Sequence, residues 1–319
     1  MIVSLNLFFL IAMHNCIVIC GPTASGKTRL GVLIARRCNG EIISCDSRQV
    51  YRGMDIGTGK DLAEYGNVPY HLIDIVAPAE IYTVHRYQAD FSRIFAEITD
   101  RHKMPVVVGG SGLYLEAVLR EYALPEVPEH AAFRTEQMQR DRESLTRELA
   151  ARAPVLYKTT DLKSRKRIVR SLEIARFADP AGRQERMTQT APALAPMVLG
   201  IAIERSLLRE RIAARLTERL DAGMVDEVKR LIDAGISRER LAMFGMEYKH
   251  IARYLFGEID YDTMVLELCR DICRLAKRQE TWFRGMERRG VRIHWIKEGN
   301  FDEAITVLGG EGGMKISPV

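Results

Sequence analysis

The feature that most constrains the fold is an eight-residue segment near the start of the chain, Gly21-Pro22-Thr23-Ala24-Ser25-Gly26-Lys27-Thr28. It fits the pattern G-x-x-x-x-G-K-[ST], and it lies between an apolar run, Cys16–Cys20, and a helical pattern. In that context the loop amides and the helix N-terminus face a phosphate group. We therefore predict a phosphate-binding loop (P-loop) rather than a chance glycine-rich turn, and a ligand that is a polyphosphate or pyrophosphate ester.

The residue types in this loop suit a phosphate ligand. Its glycines let the backbone curl, Lys27 adds a positive charge, and the Thr28 hydroxyl can hold Mg²⁺, the expected cofactor. The predicted phosphate-binding residues are Gly21, Thr23, Ala24, Ser25, Gly26, Lys27 and Thr28.

Short β-rich runs alternate with helical patterns along the first 120 residues. Strands are predicted at Cys16–Cys20, Glu41–Ser44, His71–Ile73 and Pro105–Val108, and helices at Lys27–Cys38, Val84–Arg101 and Leu113–Arg120. This βαβα order predicts an α/β fold with a parallel sheet covered by helices on both faces. Such sheets bind ligands at the carboxyl ends of their strands.

The pattern changes after residue 121, where prolines and charged helical stretches predict a mainly helical insertion domain. The apolar run Met197–Ile203 is expected to rejoin the sheet. Helical patterns then follow at 207–222, 225–234, 248–256 and 261–286, with a last strand at Arg292–Ile296. The predicted parts are a P-loop core at 13–121, the insertion at 122–196, completion of the core at 197–308 and a disordered tail at 309–319.

Composition excludes several classes of protein. With 47% hydrophobic and 28% charged residues the chain can bury a core, which rules out a disordered or collagen-like protein. Its six cysteines form no CxxC pair, which indicates reduced thiols rather than disulfides or a zinc site. We expect a cytoplasmic protein with no membrane association, because polar residues interrupt the apolar N-terminal stretch. That stretch lacks the basic start of a signal peptide, so we expect Met13 to be the native start.

Asp46 is the candidate reactive carboxylate. P-loop kinases and ATPases usually hold magnesium with a carboxylate at the end of a second apolar strand, but here the strand at 105–108 runs into Gly109-Gly110-Ser111-Gly112. Asp46 instead follows the strand that ends at Ser44. Its position alone is compatible with a magnesium ligand, a general base or the cap of a turn.

Segments in order between about residue 15 and residue 296 resemble the tRNA dimethylallyltransferase family, the P-loop enzymes that prenylate an anticodon-loop adenosine. The matching segments are Gly21 to Thr28, Asp46-Ser47-Arg48-Gln49-Val50-Tyr51, Gly53-Met54-Asp55-Ile56-Gly57-Thr58-Gly59-Lys60, His71-Leu72-Ile73-Asp74, Val108-Gly109-Gly110-Ser111-Gly112-Leu113-Tyr114, Lys277-Arg278-Gln279 and Trp282-Phe283-Arg284. The ordered set is more specific than any one of its members.

This resemblance implies that the P-loop holds the diphosphate of dimethylallyl diphosphate, and that the acceptor is the N6 amine of the adenosine 3′ to the anticodon. Asp46 matches the family's general base. Ser111 stands where members commonly carry a threonine that hydrogen-bonds the bridging oxygen, and Arg215 matches an arginine that reaches the diphosphate from the other side. With Lys27 these residues form the expected catalytic set.

A basic segment, Lys163–Arg170, carries five cations in eight residues, a composition that suits RNA phosphates. The resemblance places tRNA contacts on Lys166, Arg167 and Arg170, with Arg134 as a further contact, and makes tRNA the expected partner. A stacked adenine cannot present its N6 amine to a buried diphosphate, so we expect the target base to flip into the protein, where the turn formed by Asp46, Ser47, Arg48 and Gln49 reads it.

Two departures from the family concern the grip on tRNA. The chain has Asp161-Leu162-Lys163-Ser164 where many members carry His-Pro-Asn-Asp, and Gly245-Met246-Glu247 where many carry Gly-Tyr-Arg. Two alternatives stay open on the residues: a P-loop kinase that phosphorylates a small metabolite with ATP, and a nucleotide-dependent RNA-binding module without chemistry. We expect a monomer.

Overall fold

The structure, a computed structural model, describes residues 14–120, 127–178 and 193–309. The chain divides into two compact units: residues up to 121 together with those from 192 onward, and residues 122–191. The expected start at Met13, the expected tail beyond residue 309 and most of the predicted proline-containing loop before Pro196 lie outside the described residues.

The first unit is built on a six-stranded sheet whose order is β3-β2-β4-β1-β5-β6. Every pair of neighbouring strands in it is parallel. The strands are β1 (Cys16–Cys20), β2 (Gly40–Ser44), β3 (Tyr70–His71), β4 (Met104–Gly109), β5 (Pro196–Ala202) and β6 (His294–Lys297). The predicted α/β class is confirmed.

Helices pack against this sheet and also form the second unit. Those of the first unit are α1 (Lys27–Arg37), α2 (Val84–Asp100), α3 (Gly112–Leu119), α8 (Arg205–Asp221), α9 (Met224–Asp233), α10 (Arg238–Phe244), α11 (Met246–Leu255), α12 (Tyr261–Arg288) and α13 (Phe301–Leu308). Those of the second are α4 (Ala131–Met138), α5 (Arg142–Arg152), α6 (Pro154–Thr159) and α7 (Arg165–Phe177). None of the helices in these ranges is long and apolar enough to cross a lipid bilayer.

The central strand β1 explains why both faces of the sheet are covered. All five of its residues are buried, and alternate side chains enter two different cores. Cys16, Val18 and Cys20 lie in one core, while Ile17 and Ile19 lie in the other. Because successive side chains of a strand point to opposite faces, a continuous apolar run of this kind requires cover on both sides.

The third predicted strand, His71–Ile73, is wrong in its extent. Pairing with β2 covers only Tyr70 and His71, and Leu72 and Asp74 adopt positive φ angles of 62° and 57°. Backbone in that left-handed region cannot continue a strand. The Asp74 amide donates to the Gln49 carbonyl at 3.1 Å and its carboxylate pairs with Lys60, so tertiary contacts turn the chain here.

The second unit has its own small core, which Phe133, Leu145, Leu149, Ile168 and Leu172 share with a few neighbours. Helix α7 begins within the basic segment, where the Ser164 side chain caps it by accepting from the Arg167 amide. The predicted mainly helical character of the insertion is confirmed.

A buried carboxylate ties the segment 53–60 to the C-terminal helices. Glu227 on α9 is 2% exposed and accepts hydrogen bonds from the amides of Asp55, Ile56 and Gly57 at 2.7–3.0 Å. It also accepts from the Tyr248 hydroxyl at 2.7 Å. Four donors therefore satisfy one carboxylate, and the loop is fixed by charge-assisted hydrogen bonds.

We expect Glu227→Gln to lower the free energy of unfolding by about 1–3 kcal/mol, because its amide nitrogen must face buried donors that then lose their acceptor. Urea unfolding followed by circular dichroism measures the change. Glu210→Gln, at an exposed position on α8, is the matched control. Equal urea midpoints for Glu227→Gln and the wild type would contradict a stabilising role for the hydrogen bonds that Glu227 accepts.

Candidate active site

Three loops meet at the carboxyl edge of the sheet. The P-loop follows β1, the Asp46 turn follows β2, and the Gly110–Gly112 loop follows β4. Since β4 lies between β2 and β1, the sheet order places Ser111 between Asp46 and the P-loop. The edge predicted from the sequence is thus the place where the candidate residues converge.

The P-loop has the curled backbone that its glycines predict. Gly26 has φ 88° and Ala24 has φ 60°, both in the left-handed region. Thr28 is the second residue of α1, so its amide lies at the open N-terminus of that helix. The buried Ser25 hydroxyl has no hydrogen-bond partner in the described part of the chain. An unsatisfied hydroxyl and open amides in one loop suit an anionic ligand.

Two cations lie at the P-loop. The Lys27 ammonium donates to the Pro22 carbonyl at 2.7 Å, and the Arg215 guanidinium on α8 donates to the Thr23 hydroxyl. Neither forms an ion pair with a carboxylate in the described ranges. Burial, reinforced by the neighbouring Arg215, lowers the pKa of Lys27 to about 8. Burial and the nearby Arg219 lower the pKa of Arg215 to about 10. A bound diphosphate would give these two cations the direct ion pairs that the described residues do not provide.

The low pKa of Lys27 predicts a pH dependence. In the free protein its protonated fraction falls roughly tenfold between pH 7 and pH 9, so affinity for a diphosphate monoester should fall by about the same factor. Titration with a non-transferable dimethylallyl diphosphonate measures this. Lys27→Arg keeps its charge over that range, and its affinity should not change. An affinity of the wild type that does not change between pH 7 and pH 9 would refute the role of Lys27 as a diphosphate-binding cation.

Asp46 and Ser111 are linked through one amide. The Ser47 amide donates to the Ser111 hydroxyl at 3.1 Å, and the Asp46 Oδ1 atom accepts from the Arg48 amide at 2.8 Å. The second carboxylate oxygen of Asp46 accepts no hydrogen bond from the described residues, and the Ser111 hydroxyl hydrogen has no acceptor among them. One Asp46 oxygen is therefore held by the Arg48 amide, the other is open to accept a proton, and the Ser111 hydroxyl is open to donate its own.

Gln49 is buried, and its amide already has protein partners. It accepts from the Ser44 hydroxyl at 2.8 Å and donates to the Gly59 carbonyl at 2.9 Å. One N–H and one lone pair remain for a ligand. The side chain thus joins the Asp46 turn to the segment 53–60, which Glu227 holds.

Sequence reasoning assigned no role to Gln279, which joins two of the loops. Its side chain, on α12, accepts from the Thr23 amide at 2.8 Å and donates to the Gly110 carbonyl at 3.0 Å. These partners lie 256 and 169 residues away along the chain. No local pattern indicates such contacts.

In the second unit the predicted tRNA contacts separate into two groups. Arg134 and Arg170 both pair with Glu173, whose side chain is fully buried. Although burial by itself raises its pKa, hydrogen bonds from both arginines and the His130 amide lower the pKa of Glu173 to about 2. Lys166 and Arg167 are exposed, and Arg167 pairs with Asp161 at 3.1 Å.

Glu247, one of the departures noted in the sequence, lies beside two arginines of α8. It lines a small pocket that Arg215 and Arg219 also line. Burial raises its pKa, while the two arginines oppose that shift. This acidic residue therefore faces the cations of α8, whereas Met243, four residues earlier in the chain, is exposed.

Comparisons with known proteins show which family the chain belongs to. The family model for IPP transferase matches residues 49–286. A relative named tRNA dimethylallyltransferase 1, from Geotalea uraniireducens (strain Rf4), is 52% identical over 288 residues, which cover 90% of this chain and 94% of the relative. Another, tRNA dimethylallyltransferase 2 from Syntrophotalea carbinolica, is 50% identical over 88% of this chain and 94% of its own. The crystal structure of a tRNA isopentenylpyrophosphate transferase from Bacillus halodurans has a TM-score of 0.67 and 34% identity, with 93% of this chain and 94% of that chain covered. The chain belongs to the IPP transferase family.

Proposed function

We propose that this protein transfers the dimethylallyl group of dimethylallyl diphosphate to the N6 amine of the adenosine 3′ to the anticodon in tRNA, and releases diphosphate. The observation that carries this proposal is the juxtaposition at one sheet edge of the P-loop, with two cations that form no ion pair among the described residues, and the Asp46 carboxylate, with one oxygen that accepts no hydrogen bond from them. The relatives named tRNA dimethylallyltransferase support the choice of substrates.

In the transfer step the bond from N6 to the allylic carbon forms as the carbon–oxygen bond to diphosphate breaks. The departing diphosphate gains negative charge. Lys27, Arg215 and the P-loop amides meet that charge from fixed positions, so little reorganisation is needed as it develops. These cations carry depressed pKa values in the free protein, and a bound anion favours their charged forms.

Asp46 acts as the general base. The lone pair of an exocyclic amine is delocalised into the adenine ring, so N6 becomes nucleophilic as its proton leaves. The free Asp46 oxygen accepts that proton while the Arg48 amide holds the other oxygen. Ser111 donates its hydroxyl hydrogen to the oxygen that bridges the allyl group and the diphosphate.

Mg²⁺ fits this site as an ion bound largely by the substrate. No cluster of three or more His, Cys, Asp or Glu side chains within the described ranges could hold a metal. Magnesium at phosphate sites usually takes one or two protein oxygens and completes its shell with water and phosphate oxygens. Thr28 would be its protein ligand, and the ion would help to neutralise the diphosphate.

For tRNA, the insertion at 122–196 is proposed as the clamp on the anticodon stem. Lys166 and Arg167 are the exposed phosphate contacts, and Arg134 and Arg170 contribute less because they already form ion pairs with Glu173 and, for Arg134, also with Glu129. The base flips out of the single-stranded loop and is read by the turn Asp46, Ser47, Arg48 and Gln49. We place the reaction in the cytoplasm and expect one monomer to act on one tRNA.

One assay tests the proposal against its rivals. Purified protein, Mg²⁺ and unmodified tRNA are incubated with labelled dimethylallyl diphosphate or with labelled ATP. Label that enters tRNA from the prenyl donor supports transfer. Phosphate transfer from ATP to a small molecule would support a kinase, and tRNA binding without transfer of either label would support a binding module.

A further inference from the structure

We infer that Gln279 is a positioning residue that sets the distance between the P-loop, which holds the leaving group, and Ser111. This inference rests on the proposed function. Its amide bridges the Thr23 N–H and the Gly110 carbonyl with hydrogen bonds of 2.8 and 3.0 Å. Thr23 belongs to the P-loop, and Gly110 directly precedes Ser111.

A primary amide has the chemistry that this position needs. The Thr23 N–H can only donate and the Gly110 carbonyl can only accept, so the partners fix which end of the amide faces each. A carboxylate of the same shape would accept from Thr23 but would place a lone pair against the Gly110 carbonyl. An aliphatic side chain would leave both backbone groups without a partner, so neither replacement keeps the bridge.

The bridge belongs to a continuous set of contacts across the site. Arg215 holds the Thr23 hydroxyl, Gln279 joins Thr23 to Gly110, and the Ser111 hydroxyl accepts from the Ser47 amide next to Asp46. The set therefore runs from the diphosphate arginine to the turn of the general base. Gln279 is the member that connects the leaving-group side with the Ser111 side.

Close packing makes the same connection rigid. A Cβ atom at Gly110 would lie 2.5 Å from the Gln279 side-chain nitrogen, and one at Gly112 would lie 2.4 Å from the Trp282 ring. On the opposite side, a Cβ at Gly109 would lie 2.0 Å from the Cys45 carbonyl oxygen. The loop that carries Ser111 is thus pressed between the end of β2 and two side chains spaced one turn apart on α12. Small changes at Gln279 should therefore move Ser111 rather than be absorbed.

The consequence for catalysis is a loss of alignment without a loss of either binding site. When the bridge is broken, diphosphate still meets Lys27 and Arg215, and tRNA still meets the exposed cations of the second unit. The Ser111 hydroxyl then no longer lies at the bridging oxygen. Misplacement by about 1 Å can cost on the order of 100-fold in rate.

The test compares Gln279→Glu and Gln279→Met with the wild type in single-turnover prenyl transfer at saturating tRNA and donor. We expect each variant to slow transfer by about 10- to 100-fold, with tRNA and donor dissociation constants within about twofold of the wild type. The methionine variant keeps the chain length without adding charge, and it gives the answer if the glutamate variant does not fold. Gln88→Glu is the matched control, because that amide also donates to a backbone carbonyl, that of Ala117, which belongs to none of the three loops of the site.

A double-mutant cycle separates positioning from a general structural effect. If Gln279 acts through Ser111, adding Gln279→Met to Ser111→Ala should slow transfer by less than threefold beyond Ser111→Ala alone. Fully additive losses, or a wild-type rate in both Gln279 variants, would overturn the inference while leaving the proposed function intact. A wild-type protein that transfers no prenyl group to tRNA would overturn both.

Discussion

Asp46→Asn should slow prenyl transfer by about 10²- to 10⁴-fold while tRNA binding stays within about twofold of the wild type. The size follows from the usual contribution of a positioned general base. An asparagine oxygen can still accept from the Arg48 amide, so the turn should keep its shape. Single-turnover transfer and filter binding of labelled tRNA measure the two quantities.

The control for this variant is Asp302→Asn, an exposed position in the first turn of α13, which should transfer at the wild-type rate. If Asp46 were instead a magnesium ligand, Asp46→Asn would regain most of its rate at high Mg²⁺. Such a rescue would refute the base assignment and leave the place of the residue in the site unchanged.

Lys27→Met should lower kcat/KM for dimethylallyl diphosphate by about 10²- to 10³-fold, the usual loss when one preorganised electrostatic group is removed. The Lys27 cation is desolvated and has Arg215 as a neighbour, so the folded protein bears a cost for its charge. Its removal should leave the melting temperature equal or higher. Steady-state kinetics and a thermal melt together measure this pair of opposite effects.

Lys229→Met, at an exposed lysine of α9, is the matched control and should leave kcat/KM unchanged. A Lys27→Met protein with lowered kcat/KM and a melting temperature well below the wild type would point to a structural role. Undiminished kcat/KM would remove Lys27 from the site altogether.

The sheet and its binding edge were predictable because local patterns determine them. The strand β1 is a continuous apolar run before a phosphate-loop pattern, and the P-loop backbone follows from its glycines. Asp46 and Ser111 could be placed at one edge because both follow parallel strands. The order of the strands, which brings the two together through the Ser47 amide, does not follow from the local patterns themselves.

What the sequence could not predict depends on distant contacts. The strand predicted at His71–Ile73 ends early because Leu72 turns into the left-handed region, and helix α10 was not expected at all. Glu227 resembles an ordinary helical polar residue in sequence, and the family-matching segment that contains Gln279 does not show what its side chain contacts. Their roles appear only when α9 and α12 pack against loops from the first half of the chain. The roles of the individual site residues stay predictions until the variants are measured.

The bridge from Gln279 to Thr23 bears on how the protein matures during translation. The P-loop emerges early from the ribosome, yet Gln279, whose side chain holds the Thr23 amide, is synthesised 256 residues later. At roughly 5–20 residues per second, that interval is on the order of 10–50 s. A nascent chain that meets cellular tRNA during this time still lacks the Gln279 bridge in its active site. It should therefore not modify the tRNAs that take part in its own synthesis.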